Sequence, residues 1–185
     1  MMIQGRECVA TDENAAFVLV EEGARLGCHH CQGVMAKCYR WGYGCVSDAA
    51  RSLELARESS GKGSRYGQFA LGDMHRYWAG GLWQDYAQAL ALFLLAAAQN
   101  LDVAQYSVGF MYEHGLGVAY DVTEALRWYR LAAVQGHAYA LFYGAVCHKE
   151  GRGVGKNKAE AIRWYRRALA AGDTPAALAL QRLRA

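Results

Sequence analysis

Apolar and polar positions follow one another along this chain with the period of amphipathic α-helices. In the clearest stretch, small or apolar residues are spaced i, i+4, i+7 and i+8; they are Ala104, Val108, Met111 and Tyr112. Gly115 and Gly117 come next, and they predict a turn because glycine reaches positive φ at little steric cost. A second periodic stretch starts at Asp121, and its inner stripe consists of Ala125, Trp128, Tyr129 and Ala132. The pattern predicts a unit of two helices, helix A and helix B, joined by a glycine turn.

This two-helix unit recurs with a fixed period. A shift of 36 positions superimposes residues 104–136 on residues 140–172, including the glycine turn and the Trp-Tyr pair of helix B. Repeats of this length are typical of stacked arrays in which each unit covers the apolar flank of its neighbour. The single proline in 185 residues also favours helix over sheet. We therefore predict an all-α fold of stacked antiparallel helix pairs, with about ten helices.

Each predicted helix B begins at an acidic or amide residue. Such a residue is a good N-cap because its side-chain oxygen accepts a main-chain N–H, which contributes about 1 kcal/mol. The five residues are Asp12, Asp48, Asp85, Asp121 and Asn157. Gln88, Glu124 and Glu160 lie three positions after the last three of them, which predicts capping boxes.

The repeat pattern divides the chain into six segments. We expect a partial repeat with helix B only at 1–27, a degenerate repeat at 28–63, a repeat with a one-residue loop insertion at 64–101, full repeats at 102–137 and 138–173, and a C-terminal capping helix at 174–185.

The predicted N-terminal helix has no helix A before it. Its apolar residues Ala16, Leu19 and Val20 would then lack a covering neighbour. This arrangement indicates a fragment of a longer protein, an end that associates with a second copy, or a helix swapped with a partner. We favour the fragment and keep self-association through this uncapped helix as an alternative.

The segment AQYSVGFMYEHGLGVAYDVTEALRWYRLAAVQGHA resembles the Sel-one-like repeat family, whose members are related to the tetratricopeptide repeat. Residues 102–173 match the family pattern nearly throughout, residues 64–101 moderately and residues 1–63 weakly. The resemblance implies a right-handed, tetratricopeptide-like α-solenoid in which helix A lines a concave face. It also implies a non-catalytic adaptor or scaffold that binds a protein or peptide on that face. The alternatives are a hydrolase of the β-lactamase-like type proposed for cysteine-rich relatives, and a purely structural segment of a longer solenoid.

Composition and charge narrow the classes of partner. The net charge is only +3, so we do not expect the chain as a whole to bind nucleic acid. The basic surplus is concentrated from Lys149 onward, which predicts a solvated basic end or a docking patch for an acidic partner.

The same sequence features bear on localisation. No apolar run is long enough for a membrane span, which needs about 18 residues or more. The start, MMIQGRECVATDEN, lacks the apolar core of a signal peptide. A cytoplasmic location is predicted if Met1 is the natural start, whereas a fragment leaves an upstream signal open.

The motif Cys28-His29-His30-Cys31 is the strongest candidate for metal or redox chemistry. Zinc needs four ligands, and no second Cys/His pair stands at a suitable spacing, so we expect no metal and no cofactor. Cys31 falls in the small-residue position that Ala104 holds in a later repeat. We interpret it as a packed residue, with metal binding and redox chemistry as the alternatives.

Histidine and tryptophan in the repeats have a packing interpretation as well. His75 and His148 fall in the inner position of Tyr112, so we expect packed rings rather than general bases, and no catalytic residue is predicted. Trp128 and Trp164 could stack on nucleic-acid bases, but their periodic position favours core packing.

Positions of helix A opposite the inner stripe are the candidates for partner binding. Side chains there vary in size and charge between repeats, as expected of a groove that selects one ligand. We predict Phe110 as the anchor. The polar residues expected around it are Glu113, Lys37, Arg40, Asp73, Arg76 and Lys149.

Overall fold

The described part of the chain is entirely helical. The structure, a computed structural model, describes residues 4–77 and 79–184, with side chains at 12–77 and 79–183. This part contains ten α-helices and no β-strand, which confirms the predicted all-α fold. The helices are α1 (Gln4–Arg25), α2 (His29–Trp41), α3 (Ala49–Gly61), α4 (Arg65–Tyr77), α5 (Tyr86–Ala98), α6 (Asp102–His114), α7 (Val122–Val134), α8 (Ala138–Glu150), α9 (Lys158–Ala170) and α10 (Pro175–Arg184).

The predicted N-caps are confirmed at four of the five positions. The side chains of Asp48, Asp85, Asp121 and Asn157 accept hydrogen bonds from main-chain N–H groups two or three residues ahead, at 2.9 or 3.0 Å. The prediction for Asp12 is wrong, because α1 already begins at Gln4 and runs through it. Residues 4–11 contain no proline that would prevent a helix from extending upstream of Asp12.

The predicted capping boxes do not form. The main-chain N–H groups of Asp85, Asp121 and Asn157 donate hydrogen bonds to carbonyl oxygens of the preceding helix, at 3.0, 3.0 and 2.8 Å. The donor that a capping box needs is therefore already used. Glu124 and Glu160 each pair with an arginine three residues later instead. The N–H of the N-cap thus holds the start of helix B against helix A.

Glycines of the A helices lie where aromatic residues of the B helices cross them. A Cβ added at Gly109 would stand 2.8 Å from the ring of Tyr129. The same construction at Gly72 places the Cβ 2.9 Å from the ring of Phe93. A Cβ added at Gly144 would stand even closer to the ring of Trp164. The absence of a side chain at these positions lets the two helices of a pair approach closely.

The chain packs into two compact units, Met1–Ala96 and Ala97–Ala185. The core of the first unit is a cluster of Phe17, Met35, Ala36, Leu55, Ala56, Ala70 and Met74. The second unit has one cluster around Tyr129 and another around Trp164 and Tyr165. The division into six segments stays a prediction; residues 1–3 of the first segment and residue 185 of the last lie outside the described part.

The N-terminal helix leaves part of its apolar surface uncovered. Ala16 is exposed and Leu19 is 70% exposed, whereas Val20 packs against the core of the first unit. Self-association through this surface stays a prediction.

The Trp-Tyr pair of helix B is buried unevenly. Tyr129 and Tyr165 are almost completely buried, and Trp164 is buried with its Nε1–H donated to Glu160 at 2.9 Å. Trp128 is only half-buried. The core position of this pair is therefore the tyrosine, and core packing of tryptophan is confirmed for Trp164 alone.

Candidate protein-binding face

Aromatic side chains form a stripe along α6. Tyr106, Phe110 and His114 are spaced four residues apart, so they lie on one face of the helix. The rings of Phe110 and His114 are stacked with their centroids 4.0 Å apart. Tyr106 and Phe110 are half-buried and His114 is exposed, so this stripe is accessible from solvent.

Helix α8 adds a second aromatic stripe beside the first. Tyr139 and Tyr143 lie 6.0 and 5.9 Å from Tyr106, centroid to centroid, and Tyr143 meets Phe110 edge-on at 6.5 Å. Tyr139 is 59% exposed. We call these five residues of α6 and α8, Tyr106, Phe110, His114, Tyr139 and Tyr143, the aromatic face.

Tyr129 of α7 supports the aromatic face from below. Its ring stacks on Tyr106 at 5.9 Å and on Tyr143 at 6.0 Å. Its hydroxyl donates a 2.5 Å hydrogen bond to Oε2 of Glu113. Burial, followed by the nearby Glu113 carboxylate, raises the pKa of Tyr129 far above its usual value, so it acts as a donor.

Glu113 is not on the partner-facing surface where the sequence pattern placed it. It is 4% exposed, and its Oε1 lies 2.8 Å from Nη1 of Arg152 in addition to the bond from Tyr129. Arg152 comes from the glycine turn of the next repeat, so the carboxylate is enclosed by two partners of its own chain. We correct its role to an internal link between repeats.

Arg40 and Asp73 also face each other rather than a partner. Their side chains are 10% and 15% exposed, and Nε of Arg40 lies 3.4 Å from Oδ2 of Asp73. Burial raises the pKa of Asp73, and Arg40 opposes that shift. This pair links α2 to α4, so both residues are removed from the candidate binding set.

The other predicted binding residues stay predictions. Phe110 and Arg76 are half-buried, Lys37 is exposed, and Lys149 is half-buried beside Glu150. Arg76 lies over the ring of Tyr77 at 4.7 Å. Lys37 and Arg76 belong to the first unit and Phe110 and Lys149 to the second.

A cavity opens at the α8–α10 side of the second unit. Its volume is about 290 Å³, and its lining includes Phe142, Val146, Tyr165 and Leu183. Lys149 and Arg182 line this cavity and also a neighbouring hollow of about 460 Å³ that contains Lys156, Lys158 and one carboxylate, Glu150. An apolar cleft thus adjoins a strongly basic surface.

Sequence reasoning missed most of this surface. Tyr139, Tyr143 and His137 were not among the predicted site residues, although the four-residue spacing of the two tyrosines was visible in the sequence. Arg182 was counted only as part of a general basic surplus.

His137 connects the aromatic face to the start of α8. It is the N-cap of that helix, and its Nδ1 accepts a hydrogen bond from the N–H of Ala140 at 3.3 Å. Its ring stacks on Tyr106 at 4.8 Å. Burial lowers the pKa of His137, with Asp102 acting in the opposite direction. The neutral imidazole is therefore the form that caps the helix.

We expect the stability of the second unit to fall as the pH drops below about 6.5. The pKa of His137 is lower in the folded state, so the unfolded chain binds a proton first and stability is lost as the pH falls through the folded pKa.

His137→Asn can still cap the helix but does not titrate. Urea unfolding at pH 7.5 and 5.0 should show a smaller loss for this variant. His148, whose pKa burial also lowers, keeps part of the slope. Equal losses in both proteins would contradict the assignment.

No cluster of three or more His, Cys, Asp or Glu side chains that could hold a metal ion occurs among the described side chains. His148 is buried 5.5 Å from the ring of Trp164, centroid to centroid, as expected of a packed ring. Within residues 4–77 and 79–184, no helix is long and apolar enough to cross a membrane.

Comparison with known proteins identifies the repeat. The Sel1 repeat model matches residues 24–64, 65–101, 102–137 and 138–173. The chain belongs to the Sel1 repeat family. This result confirms the resemblance noted from the sequence.

Curated Sel1 relatives are much longer than this chain. Chitin synthase regulatory factor 3 of Schizosaccharomyces pombe is 34% identical over 117 residues, which is 61% of this chain and 12% of that protein. The ERAD-associated E3 ubiquitin-protein ligase component HRD3B of Arabidopsis thaliana is 29% identical over 112 residues, or 59% of this chain and 17% of that protein.

Solved structures of Sel1 repeat proteins share the fold. The protective antigen c5321 of uropathogenic Escherichia coli is 33% identical, with a TM-score of 0.76 over 90% of this chain and 36% of its own. A Sel1 repeat protein of Oxalobacter formigenes is 24% identical, with a TM-score of 0.76 over 89% of this chain and 66% of its own. Cysteine-rich protein B of Helicobacter pylori is 19% identical and shares the fold alone, with a TM-score of 0.57 over 70% of this chain and 96% of its own.

Proposed function

We propose that this Sel1 repeat chain is a protein-binding module, and that its aromatic face and the cleft at the α8–α10 side hold a peptide segment of a partner. Phe142 of the cleft meets Tyr143 of the aromatic face edge-on, with the ring centroids 5.7 Å apart. The observation that carries the proposal is the aromatic face itself: rings from two neighbouring A helices lie together and are accessible from solvent. Exposed aromatic side chains in clusters are typical of protein-binding surfaces, where they anchor the partner. The names of the curated relatives, a regulatory factor and a ligase component, agree with a binding role.

The cleft and its surroundings support a proposal for the chemistry of the partner. At about 290 Å³, the cavity lies just below the range of ligand pockets, about 300–1,000 Å³, and suits one apolar side chain. Lys149, Lys156, Lys158 and Arg182 stand at or beside its mouth against the single carboxylate of Glu150. We infer a segment with one large apolar residue next to acidic residues, because acidic groups would find complementary charges there.

The residues that carry this function fall into two groups. Phe110 and Tyr139 are the anchors on the aromatic face, and Lys149 and Arg182 are the charged contacts beside the cleft. Lys37 and Arg76 of the first unit remain candidates from the sequence pattern.

A display library of acidic nonapeptides, each with one Leu or Phe, tests the proposal. We expect the selected peptides to combine an apolar residue with at least two carboxylates. In a fluorescence anisotropy assay, Phe110→Ala and Tyr139→Ala should weaken their binding about 10-fold or more, as expected of anchor residues. Arg182→Glu should weaken binding and reduce its dependence on salt.

Arg57→Glu is the matched charge reversal, at an exposed position of α3 in the first unit. It should bind the peptides like the wild type. Selection without acidic enrichment, or equal binding by the Arg182 and Arg57 variants, would contradict the proposed partner chemistry. Because Tyr139 is largely exposed, loss of binding in Tyr139→Ala would not reflect unfolding.

The hydrolase stays an alternative, and the buried thiol of the second unit does not favour it. Burial, followed by Glu113, raises the pKa of Cys147 to about 11, which keeps it protonated near neutral pH. A role as a structural segment of a longer solenoid, the absence of nucleic-acid binding and the cytoplasmic location stay predictions.

A further inference from the structure

Two cysteines stand together at the start of α2. Cys28 is the N-cap residue of that helix, and its Sγ accepts a hydrogen bond from the N–H of Cys31 at 3.3 Å. The two cysteine side chains shift each other's pKa values in opposite directions, downward for Cys28 and upward for Cys31. Both residues are half-buried rather than enclosed. A thiol that is accessible and has a second thiol within reach is an unusual N-cap, since Ser, Thr, Asp and Asn are the preferred residues there.

The spacing of the two cysteines allows a disulfide between them. Residues three positions apart on a helix have Cβ atoms about 5–6 Å apart, whereas a disulfide needs about 3.5–4.5 Å, so the two residues must approach by about 1–2 Å. Sγ of Cys28 lies 3.3 Å from the main-chain nitrogen of Cys31, so this sulfur is already close to the residue with which it would bond. Because Cys28 is the N-cap, with extended φ and ψ, and precedes the first residue of α2, this approach can occur ahead of the helix.

The surroundings favour a thiolate at Cys28 and a thiol at Cys31. Hydrogen bonds from the side chain and then from the N–H of Cys31 lower the pKa of Cys28. The same side-chain bond, together with burial, raises the pKa of Cys31. The first turn of α2 contains no acidic residue that would oppose an anion at this helix end. Of the two thiols, Cys28 is therefore the one that loses its proton more readily.

The other described cysteines do not share this environment. Burial raises the pKa values of Cys38, Cys45 and Cys147. Cys8 lies outside the described side chains. Among the cysteines that are described, Cys28 is the one whose surroundings favour the thiolate.

Packing explains one member of the pair only. A Cβ added at Gly23 of α1 would stand 2.6 Å from Sγ of Cys31, so that sulfur packs against α1. The packing interpretation from the sequence thus holds for Cys31. It does not account for Cys28, whose sulfur binds the helix end instead.

We propose that Cys28 and Cys31 form a redox-active dithiol that exchanges with accessible disulfides. The Cys28 thiolate attacks one sulfur of a disulfide R–S–S–R′ and forms a mixed disulfide, and R′–S⁻ leaves and takes up a proton. Cys31 then loses its proton to solvent and attacks the Cys28 sulfur, which forms the Cys28–Cys31 disulfide and releases R–S⁻, which is protonated in turn. In sum, two protein thiols are oxidised by two electrons, and one disulfide is reduced to two thiols.

Equilibration of the full chain with equal concentrations of reduced and oxidised glutathione tests the proposal. After alkylation of the free thiols, mass spectrometry should find an intramolecular disulfide in the peptide that contains residues 28–31. In Cys31→Ser the thiol that would attack the mixed disulfide is absent, so glutathione should remain attached to Cys28. In Cys28→Ser, which keeps an N-cap side chain, no adduct should form at Cys31.

Alkylation rates give a second measurement. If the pair had only a structural role, Cys28 would not be alkylated faster than another accessible cysteine. At pH 7, iodoacetamide should modify Cys28 about 10-fold faster than the control Cys45, in line with its larger thiolate fraction. Reduction of insulin by the dithiol would extend the substrate from small disulfides to protein disulfides. Free thiols at Cys28 and Cys31 after equilibration with glutathione, together with no adduct in Cys31→Ser, would overturn the proposal. Equal alkylation of Cys28 and Cys45 would also overturn it.

Discussion

Replacing Tyr129 with alanine is expected to lower the free energy of unfolding of this protein by about 3–5 kcal/mol, the usual cost of removing a buried aromatic ring. Tyr129 is completely buried and lies against Gly109 of α6. Its ring also stacks on Tyr106 and Tyr143, which belong to α6 and α8. One side chain therefore joins three helices, and the cavity left by its removal cannot be filled by a shift of any one of them. Urea unfolding followed by circular dichroism measures the change.

Two further variants separate the ring from the hydroxyl and from the surface. Tyr129→Phe keeps the ring and removes only the donor to Glu113, so we expect a smaller loss of about 1–3 kcal/mol, the cost of leaving a buried polar group without its partner. Tyr139→Ala removes a tyrosine that is 59% exposed and should change the stability by about 0.5 kcal/mol or less. If Tyr129→Ala proved no more damaging than Tyr139→Ala, the proposed support of the aromatic face by α7 would be wrong.

The helices and their packing stripes could be predicted because they follow from local rules. An N-cap such as Asp121, a turn glycine such as Gly115 and an inner residue such as Ala125 each depend on neighbours within a few residues. Because the repeat recurs every 36 residues, each rule could be checked at several equivalent positions of the sequence. The same rules failed at Asp12. Helix α1 extends upstream of this residue, so Asp12 is not an N-cap, and no turn of the repeat pattern precedes it.

The partner of a side chain in another repeat could not be predicted. A helical wheel places Glu113 opposite the inner stripe of α6 because it considers that helix alone. In the structure, Arg152 from the next glycine turn lies over Glu113, and the equivalent residue one repeat earlier is Leu116, so the repeat pattern gave no indication of this contact. Arg40 and Asp73 are a second instance. The pattern of its own helix placed each of them among the polar binding residues, whereas in the structure they form an ion pair with each other.

The aromatic face was predicted in part. Phe110 is half-buried beside the exposed His114 ring, as an anchor residue should be. Tyr143 and Tyr139 could not be found from the repeat pattern, because that pattern relates only equivalent positions in different repeats. Their contacts with Tyr106 connect different positions of neighbouring A helices, and only the packing of α8 beside α6 brings them together.

Gly33→Ala is the second substitution with a large expected effect, and it concerns the first unit. Gly33 holds the position in α2 that Tyr106 holds in α6, yet it is buried. A Cβ at Gly33 would stand 2.8 Å from the carbonyl carbon of Tyr66 and even closer to the main-chain nitrogen of Gly67. These are main-chain atoms of α4 and cannot rotate away, so α2 and α4 would have to separate.

We expect Gly33→Ala to lower the free energy of unfolding by about 1–3 kcal/mol, as is typical of overpacking. This loss would occur although alanine favours a helix over glycine by about 1 kcal/mol. Gly61→Ala is the matched control in the same unit: Gly61 is the last residue of α3, and a Cβ there would meet no atom within 4 Å. It should leave the stability unchanged or raise it by up to about 1 kcal/mol. Opposite shifts of the two urea midpoints would show that α2 and α4 touch through their main chains. An increase in both midpoints would contradict that contact.

The outcome also bears on where a partner can bind. Where main chains meet at Gly33, no ring can occupy the position that Tyr106 fills in α6, so an aromatic face cannot form between α2 and α4. The expected result would therefore favour the second unit as the place where the partner's apolar residue is held. It would leave Lys37 and Arg76 as charged contacts at most.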